Sequence, residues 1–353
     1  MVGLFFFRKT LFRQCPTGPC NCDHAYTTAD QTSYPGSPSS DPPLRRRRMM
    51  NRVLFLFLDG VGPGSDDARS NPFARAHMPN LNGLLNGRRL LGNLPAFSTE
   101  RVSFVPADAC MGVVGMPQSA SGQGAILTGI NVPRRIGKHW GPKPNPEIKA
   151  LLQEDNLFKH LRNQGCSVGL ANAYPPAFLE GIESGRRALS AIQLALKVAG
   201  GNLCTEADLR HGRAFAADFT GAAWRSQLGF EDTPVLPPEE AGRSLARAAS
   251  DYRLLLFDHW LTDVIGHRGS MDEAVKLLER LDAVLGGMLN AWHAEDGLIF
   301  ITSDHGNLED KSTRRHTHNP VPVLIMGKGH RQVAAKITDI CDITPALLGY
   351  LTT

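Results

Sequence analysis

The chain alternates short, wholly apolar runs with stretches in which apolar residues recur every three or four positions. Val53–Leu58 is six apolar residues in a row ending on Asp59-Gly60, the pattern of a strand buried on both faces. Leu254–Phe257, Leu298–Thr302 and Val321–Met326 are similar runs, the first two again ending on polar residues. Val168–Ala171 predicts another strand, preceded by a helix over Asn156–Asn163. The clearest helical pattern is Met271–Leu289, where Ala274, Leu277, Leu278, Leu281 and Leu285 share one face. Strands alternating with helices predict an α/β fold, a mostly parallel sheet sandwiched by helices. From about residue 174 to 250 the pattern loosens around Pro175-Pro176, Gly200-Gly201 and Pro237-Pro238. A modest insertion of helices and loops is expected there.

Composition changes the picture mainly at the N-terminal end. Residues 1–49 combine a Phe-rich start, Cys15, Cys20 and Cys22, a Ser/Pro/Gly stretch from Gln31 to Pro43, and Arg45 to Arg48. Too few apolar residues are present to offset chain ordering, so a disordered low-complexity extension is expected, followed by one domain over 50–353. A secretory leader would need a longer apolar core, and the three cysteines lack the second half of a zinc site. The scarcity of acids leaves an organelle transit peptide as the alternative, and Met49-Met50 just before the first strand leaves a later start as another.

The net charge of +4 comes from this extension, which carries seven basic and three acidic residues; the remainder holds 31 of each. A neutral body gives no reason to expect nucleic acid as a partner. No apolar run approaches the roughly 20 residues of a membrane span, so no membrane partner is expected. Seven dispersed cysteines suit a reducing compartment, and a cytoplasmic location is expected.

Candidate chemistry gathers where the predicted strands end, the edge at which open α/β sheets bind ligands. The first strand delivers Asp59. The Leu254 strand leads to Asp263-Val264-Ile265-Gly266-His267, and the Leu298 strand to Asp304-His305-Gly306-Asn307. His316-Thr317-His318-Asn319-Pro320 precedes the Val321 strand. Taken singly, each is an ordinary turn or cap residue, and neighbours such as Asp304 and His305 point different ways in a strand. Taken together, carboxylates and imidazoles converging at one edge would repel or go unsatisfied without a cation. Mixed Asp/His donors suit zinc or manganese, with magnesium admissible, and the number of donors suits two ions. A non-catalytic, metal-stabilised domain is the alternative from another class.

A nucleophile candidate lies at Pro117-Gln118-Ser119-Ala120-Ser121-Gly122, just before a predicted helix ending near Gly129. A hydroxyl at a helix N-terminus is a cap by default. The same place also receives phosphate well, because free N–H groups and the helix dipole favour anions. Ser119 and Ser121 both qualify on these grounds.

These motifs resemble the alkaline phosphatase superfamily, specifically the branch of cofactor-independent phosphoglycerate mutase and phosphopentomutase. Asp59-Gly60-Val61-Gly62 is similar to its first-strand metal motif, and Asp263 through His267 to its Asp-x-x-Gly-His element. Asp304-His305-Gly306-Asn307 is similar to Asp-His-Gly-Asn, and His316 through Pro322 to His-Thr-x-Asn-Pro-Val-Pro. Ser119 with Gly122 and Gly129 follows the family's nucleophile pattern, which favours Ser119 over Ser121. Asp342-Ile343-Thr344-Pro345 is similar to the closing helix. The resemblance implies one metal on Asp263, His267 and His316, and a second on Asp59, Asp304, His305 and the Ser119 oxygen. It puts His318 at a variable position, either behind the metal ligands or facing substrate.

The resemblance implies phosphoryl transfer on a small phosphorylated metabolite through a phosphoserine. Arg134, Arg135, Lys138, His139 and Arg268 are candidates to meet the substrate's charge. The mutases carry a large cap domain, and no cap motif stands between Arg134 and Tyr252. Because closure keeps water from a phosphoenzyme, hydrolysis of a phosphomonoester is expected ahead of phosphomutase activity. A sulfatase would need Cys/Ser-x-Pro-x-Arg, which residues 119–123 do not provide. Oligomeric state is left open by the sequence.

Overall fold

The computed structural model describes residues 51–352 apart from Asn93; the expected extension over 1–49 lies outside these residues. Strands are β1 (Val53–Leu58), β2 (Phe97–Ser98), β3 (Val102–Ala107), β4 (Val168–Leu170), β5 (Leu254–His259), β6 (Leu298–Thr302) and β7 (Val321–Gly327). Helices before β4 are α1 (Pro72–Arg75), α2 (Pro79–Leu84), α3 (Ser119–Thr128), α4 (Val132–Ile136), α5 (Pro146–Glu154) and α6 (Leu157–Asn163). Between β4 and β5 lie α7 (Pro176–Glu183), α8 (Ala191–Val198), α9 (Glu206–Arg210), α10 (Ala222–Leu228) and α11 (Pro238–Ala248). The remainder are α12 (Leu261–Arg268), α13 (Met271–Ala291), α14 (His330–Ala334) and α15 (Ile343–Leu351).

One seven-stranded sheet runs in the order β2-β3-β7-β6-β1-β5-β4. The β6-β1-β5-β4 half is parallel, whereas β7 pairs antiparallel with both β6 and β3, and β2 antiparallel with β3. The sheet is thus mostly parallel, as expected, with an antiparallel flank that periodicity did not indicate. The physical reason lies in the connections. Parallel neighbours need a crossover, usually a helix, and β6 reaches β7 through residues 303–320, which form no helix.

Alternation along β1 shows why the strands read as continuous apolar runs. Val53, Phe55 and Phe57 enter one core with residues of α3, α5, α6, α8, α14 and α15. Leu54, Leu56 and Leu58 enter the other with residues of α1, α2, α11 and α13. Each strand is sealed on both faces, so no polar face is tolerated. Helix α13 starts at a capping box made by Ser270 and Glu273 and runs two residues beyond the expected end. Of the irregular stretch from about 174 to 250, α8 and α11 belong to these two helical layers. A smaller apolar cluster, with Leu209 of α9, Ala214 and Trp224 of α10, lies in the segment between them. No helix among the described residues is long and apolar enough to cross a membrane.

Candidate metal centre

Three adjacent parallel strands bring their carboxyl ends to one edge of the sheet. Central β1 has β6 on one side and β5 on the other, so Asp59, Asp304-His305 and helix α12 emerge side by side. Gly60, with φ +69°, turns the chain sharply after Asp59. A Cβ on Gly60 would stand 2.8 Å from Asp263 Oδ1, so the turn requires glycine for space as well as conformation. Asp263 and His267, four apart on α12, share a helix face.

Helix α3 delivers the hydroxyl. It is made of small residues and is buried from Ser119 to Leu127. Gly122 lets it touch the turn after β6, since a Cβ there would meet both Cβ and the carbonyl oxygen of Asp304 at 2.9 Å. Ser119 begins this helix, not merely precedes it, and its Oγ lies 3.0 Å from His305 Nε2. Ser121 faces elsewhere. Its hydroxyl donates to the Gln118 carbonyl and accepts from Trp140 N–H, anchoring the following loop. Geometry therefore separates the two serines.

Two groups of donors result. In the first, Asp59, Asp304 and His305 are all buried, with ligand atoms within 4.8 Å of one another. His305 Nε2 stands 3.4 Å from Asp59 Oδ1 and 3.6 Å from Asp304 Oδ2. Asp304 and His305, adjacent in sequence, both reach this group because they lie in the turn beyond β6 and not in the strand. In the second, Asp263, His267 and His316 meet the same criterion. His267 Nε2 lies 3.3 Å from Asp263 Oδ2 and 3.1 Å from His316 Nε2.

The backbone fixes which ring nitrogens are free. His267 Nδ1 donates to the Arg314 carbonyl at 2.6 Å, His316 Nδ1 to Pro117 at 2.7 Å, and His305 Nδ1 to Gly306 at 3.3 Å. A carbonyl only accepts, so each Nδ1 carries the hydrogen, and whenever the ring is neutral its Nε2 presents a lone pair. Those lone pairs face one another and nearby carboxylate oxygens, and Asp59 Oδ1 is buried without a hydrogen-bond partner. Facing lone pairs repel unless a cation stands between them. The donor set therefore fits divalent metal ions bound by oxygen and nitrogen.

Ionisation reflects the same frustration. Burial first, then repulsion from Asp304, Asp263 and Asp258, holds the Asp59 carboxyl well above its usual range. Burial and Asp263 push Asp304 up to about 7, and burial and Asp304 do the same to Asp258. Burial also opposes the charge of Asp263, yet His267, His305 and His316 keep its carboxyl below the usual range. Burial lowers His305, and burial with the neighbouring His305 lowers His316 to about 4. The Asp263 hydrogen bond raises His267. A cation entering the Asp59 group must therefore displace protons below pH 7. Manganese added to weakly buffered protein at pH 6 is expected to release protons, with apparent affinity falling about tenfold per pH unit for each proton displaced. Uptake without acidification would contradict this.

Several supporting residues were not singled out from sequence. Gln123 Nε2 lies 3.4 Å from both Asp59 Oδ2 and Asp304 Oδ2. Asn307 Nδ2 donates to Asp263 Oδ1 at 2.6 Å. Buried Glu309 accepts from the Gly62 and Asn307 amides and from Thr317 and Asn319, tying the loops together. Lys143 follows the Trp140–Gly141 turn packed on the start of α3, where a Gly141 Cβ would lie 3.2 Å from Ser119 N. Desolvation lowers its ammonium, while Asp258 and Asp59 pull the other way.

The substrate-side candidates are more scattered. Arg134 and Arg135 are exposed on α4, and exposed Lys138 stacks over Trp140 at 4.8 Å. His139 bonds the Val113 carbonyl, and burial lowers it. Arg268 is exposed beside His267, and His318 is exposed two residues beyond His316. A third grouping, Asp339, Cys341 and Asp342, is explained by capping. Asp339 receives the Cys341 amide, and Asp342 the Thr338 and Asp339 amides.

Comparison with known proteins agrees with this geometry. Residues 238–353 match the family model described as the metalloenzyme superfamily. A 2,3-bisphosphoglycerate-independent phosphoglycerate mutase from Acaryochloris marina is 36% identical over 135 residues, covering 33% of this chain and 25% of that protein. The namesake from Thiobacillus denitrificans is 34% identical over 110 residues, 29% of this chain and 21% of its own. The chain thus spans only 21–25% of the length of these relatives. Among solved structures, the PH0037 protein from Pyrococcus horikoshii shares the fold, with a TM-score of 0.51 and 16% identity over 86% of this chain and 97% of that one. The sheet, its paired donor groups and the sequence matches converge on a metalloenzyme whose residues 238–353 carry the pattern of the metalloenzyme superfamily and whose sequence is similar, over about a third of the chain, to phosphoglycerate mutases.

Proposed function

We propose that the protein transfers phosphoryl groups from small phosphate monoesters through a phosphoserine at Ser119, with water as the usual acceptor. One observation carries this reading: the Ser119 hydroxyl shares His305 with two buried carboxylates, beside a second Asp/His/His group. Asp59, Asp304, His305 and Ser119 Oγ would hold one divalent ion, manganese or zinc, and Asp263, His267 and His316 the other. When bound, such a pair neutralises phosphoryl oxygens and eases loss of the serine proton.

The chain's own groups supply the rest. Ser119 Oγ attacks phosphorus as the ester P–O bond breaks, and the departing alcohol takes the proton. Water then attacks the phosphoserine, the P–Oγ bond breaks, inorganic phosphate leaves and Ser119 regains its hydrogen. The α3 N-terminus presents its helix dipole and first amides to the anion, the Ser121 amide being taken by the Trp140 carbonyl. Lys143, on the loop packed against the start of α3, is a further cation for the substrate's remaining charge, and Asp258 and Asp59 favour its charged form.

Among the described residues the only apolar cluster outside the two main cores is the small one around Trp224, which supports an open site and hydrolysis. The kinship with phosphoglycerate mutases favours a second reading, phosphomutase. Purified protein with manganese should release p-nitrophenol from p-nitrophenyl phosphate. With ribose 1-phosphate or 3-phosphoglycerate, free phosphate supports the hydrolase and an isomeric ester the mutase. Neither product from these or other phosphomonoesters would refute phosphoryl transfer.

A further inference from the structure

Helix α3 carries a second functional group one turn beyond the nucleophile. Gln123 follows Ser119 by four residues, so the two side chains share a helix face. Gln123 is 4% exposed, and its single amide nitrogen lies 3.4 Å from Asp59 Oδ2 and 3.4 Å from Asp304 Oδ2. Those carboxylates come from the ends of two different strands, β1 and β6. Asp59 Oδ2 accepts from Gln123, and Asp59 Oδ1 is buried without a hydrogen-bond partner. Glutamine is uncharged, so it can donate without competing as a cation. Its own oxygen is buried without a partner, which shows that the nitrogen end sets its orientation.

We infer that Gln123 is a positioning residue for the metal ion held by Asp59, Asp304 and His305, an inference that rests on the metal reading above. Its N–H groups hold Asp59 Oδ2, so that Oδ1 stays turned to the ion, and fix Asp304 Oδ2 on the side that faces His305. Outer partners of this kind change metal affinity by about 10- to 100-fold when removed. Because Gln123 touches neither Asp263, His267 nor His316 in this network, its effect is confined to one of the two ions. It also links occupancy to the nucleophile, since a shift of α3 moves Ser119 and the carboxylate clamp together.

Titration of the metal-free protein with cobalt(II), followed by absorbance and by equilibrium dialysis, tests this. The wild type is expected to take up two ions. Gln123→Met keeps length and volume without a donor, and Gln123→Asn keeps an amide that is one methylene short. Both are expected to weaken one of the two ions about 10- to 100-fold and leave the other within twofold, with unchanged far-ultraviolet circular dichroism. Equal weakening of both ions would indicate general damage and overturn the role. So would wild-type affinity at both sites. A wild type that binds two ions but cleaves no phosphomonoester would refute the catalytic reading while leaving the clamp intact.

Discussion

Ser119→Ala is expected to lower phosphomonoester turnover by roughly 10³-fold or more, while cobalt(II) uptake remains at two ions at saturating metal. The size follows from what the hydroxyl does. Its oxygen is the atom that bonds to phosphorus, and no other side chain occupies that place. Ser121 cannot substitute, because its hydroxyl is committed between the Gln118 carbonyl and the Trp140 amide. The remaining donors of the first group, Asp59, Asp304 and His305, are untouched, so loss of activity should not track loss of metal. The residual rate would come from direct attack of water on ester held at the helix N-terminus. Mass spectrometry of wild type quenched during turnover should show one added phosphoryl group on the peptide containing Ser119, absent from the variant. Turnover within tenfold of wild type would exclude Ser119 as nucleophile.

Much of this architecture is legible along the chain, for a physical reason. Strands β1, β5, β6 and β7 are buried on both faces, so every position must be apolar and the runs stand out. Asp59 and Asp304 stand immediately past such runs, which places them at the sheet edge before any coordinates are known. Strand β3 is harder to read. Val102–Ala107 contains Ser103 and Pro106, because Ser103 hydroxyl pairs with His330 and the strand lies in the antiparallel flank. The direction of β7 was hidden as well, since burial alone does not encode polarity. The supporting donors are illegible for a different reason. Gln123 in a small-residue helix, Asn307 and Glu309 gain meaning only from partners 181, 44 and 247 positions away. The one available signal was Gly122, whose lack of a Cβ permits the contact that brings Gln123 to Asp304.

Asp304→Asn is expected to abolish activity, by about 10³-fold or more, and to remove one of the two bound ions. The metal-free variant should nevertheless be more stable than metal-free wild type at pH 8. Both halves follow from one carboxylate. Asp304 is wholly buried, with Oδ1 3.4 Å from the Gly60 amide and Oδ2 facing His305 and Gln123. Burial and Asp263 raise its carboxyl to about 7, against about 3.9 in an unfolded chain. Between those values the folded state binds more protons than the unfolded one, so the metal-free fold loses stability as pH rises from roughly 4 to 7. Above pH 7 the full penalty is present, and a neutral amide of the same shape removes it. At pH 4 wild-type Asp304 is itself protonated, so the two melting temperatures should converge. With excess manganese at pH 8 the order should reverse, because the wild type gains binding free energy at a site the variant lacks. Such a trade of stability for metal affinity is the mark of a ligand, since a merely structural aspartate would cost stability under every condition. Two ions retained by the variant, or a metal-free melting temperature below that of wild type at pH 8, would remove Asp304 from the centre.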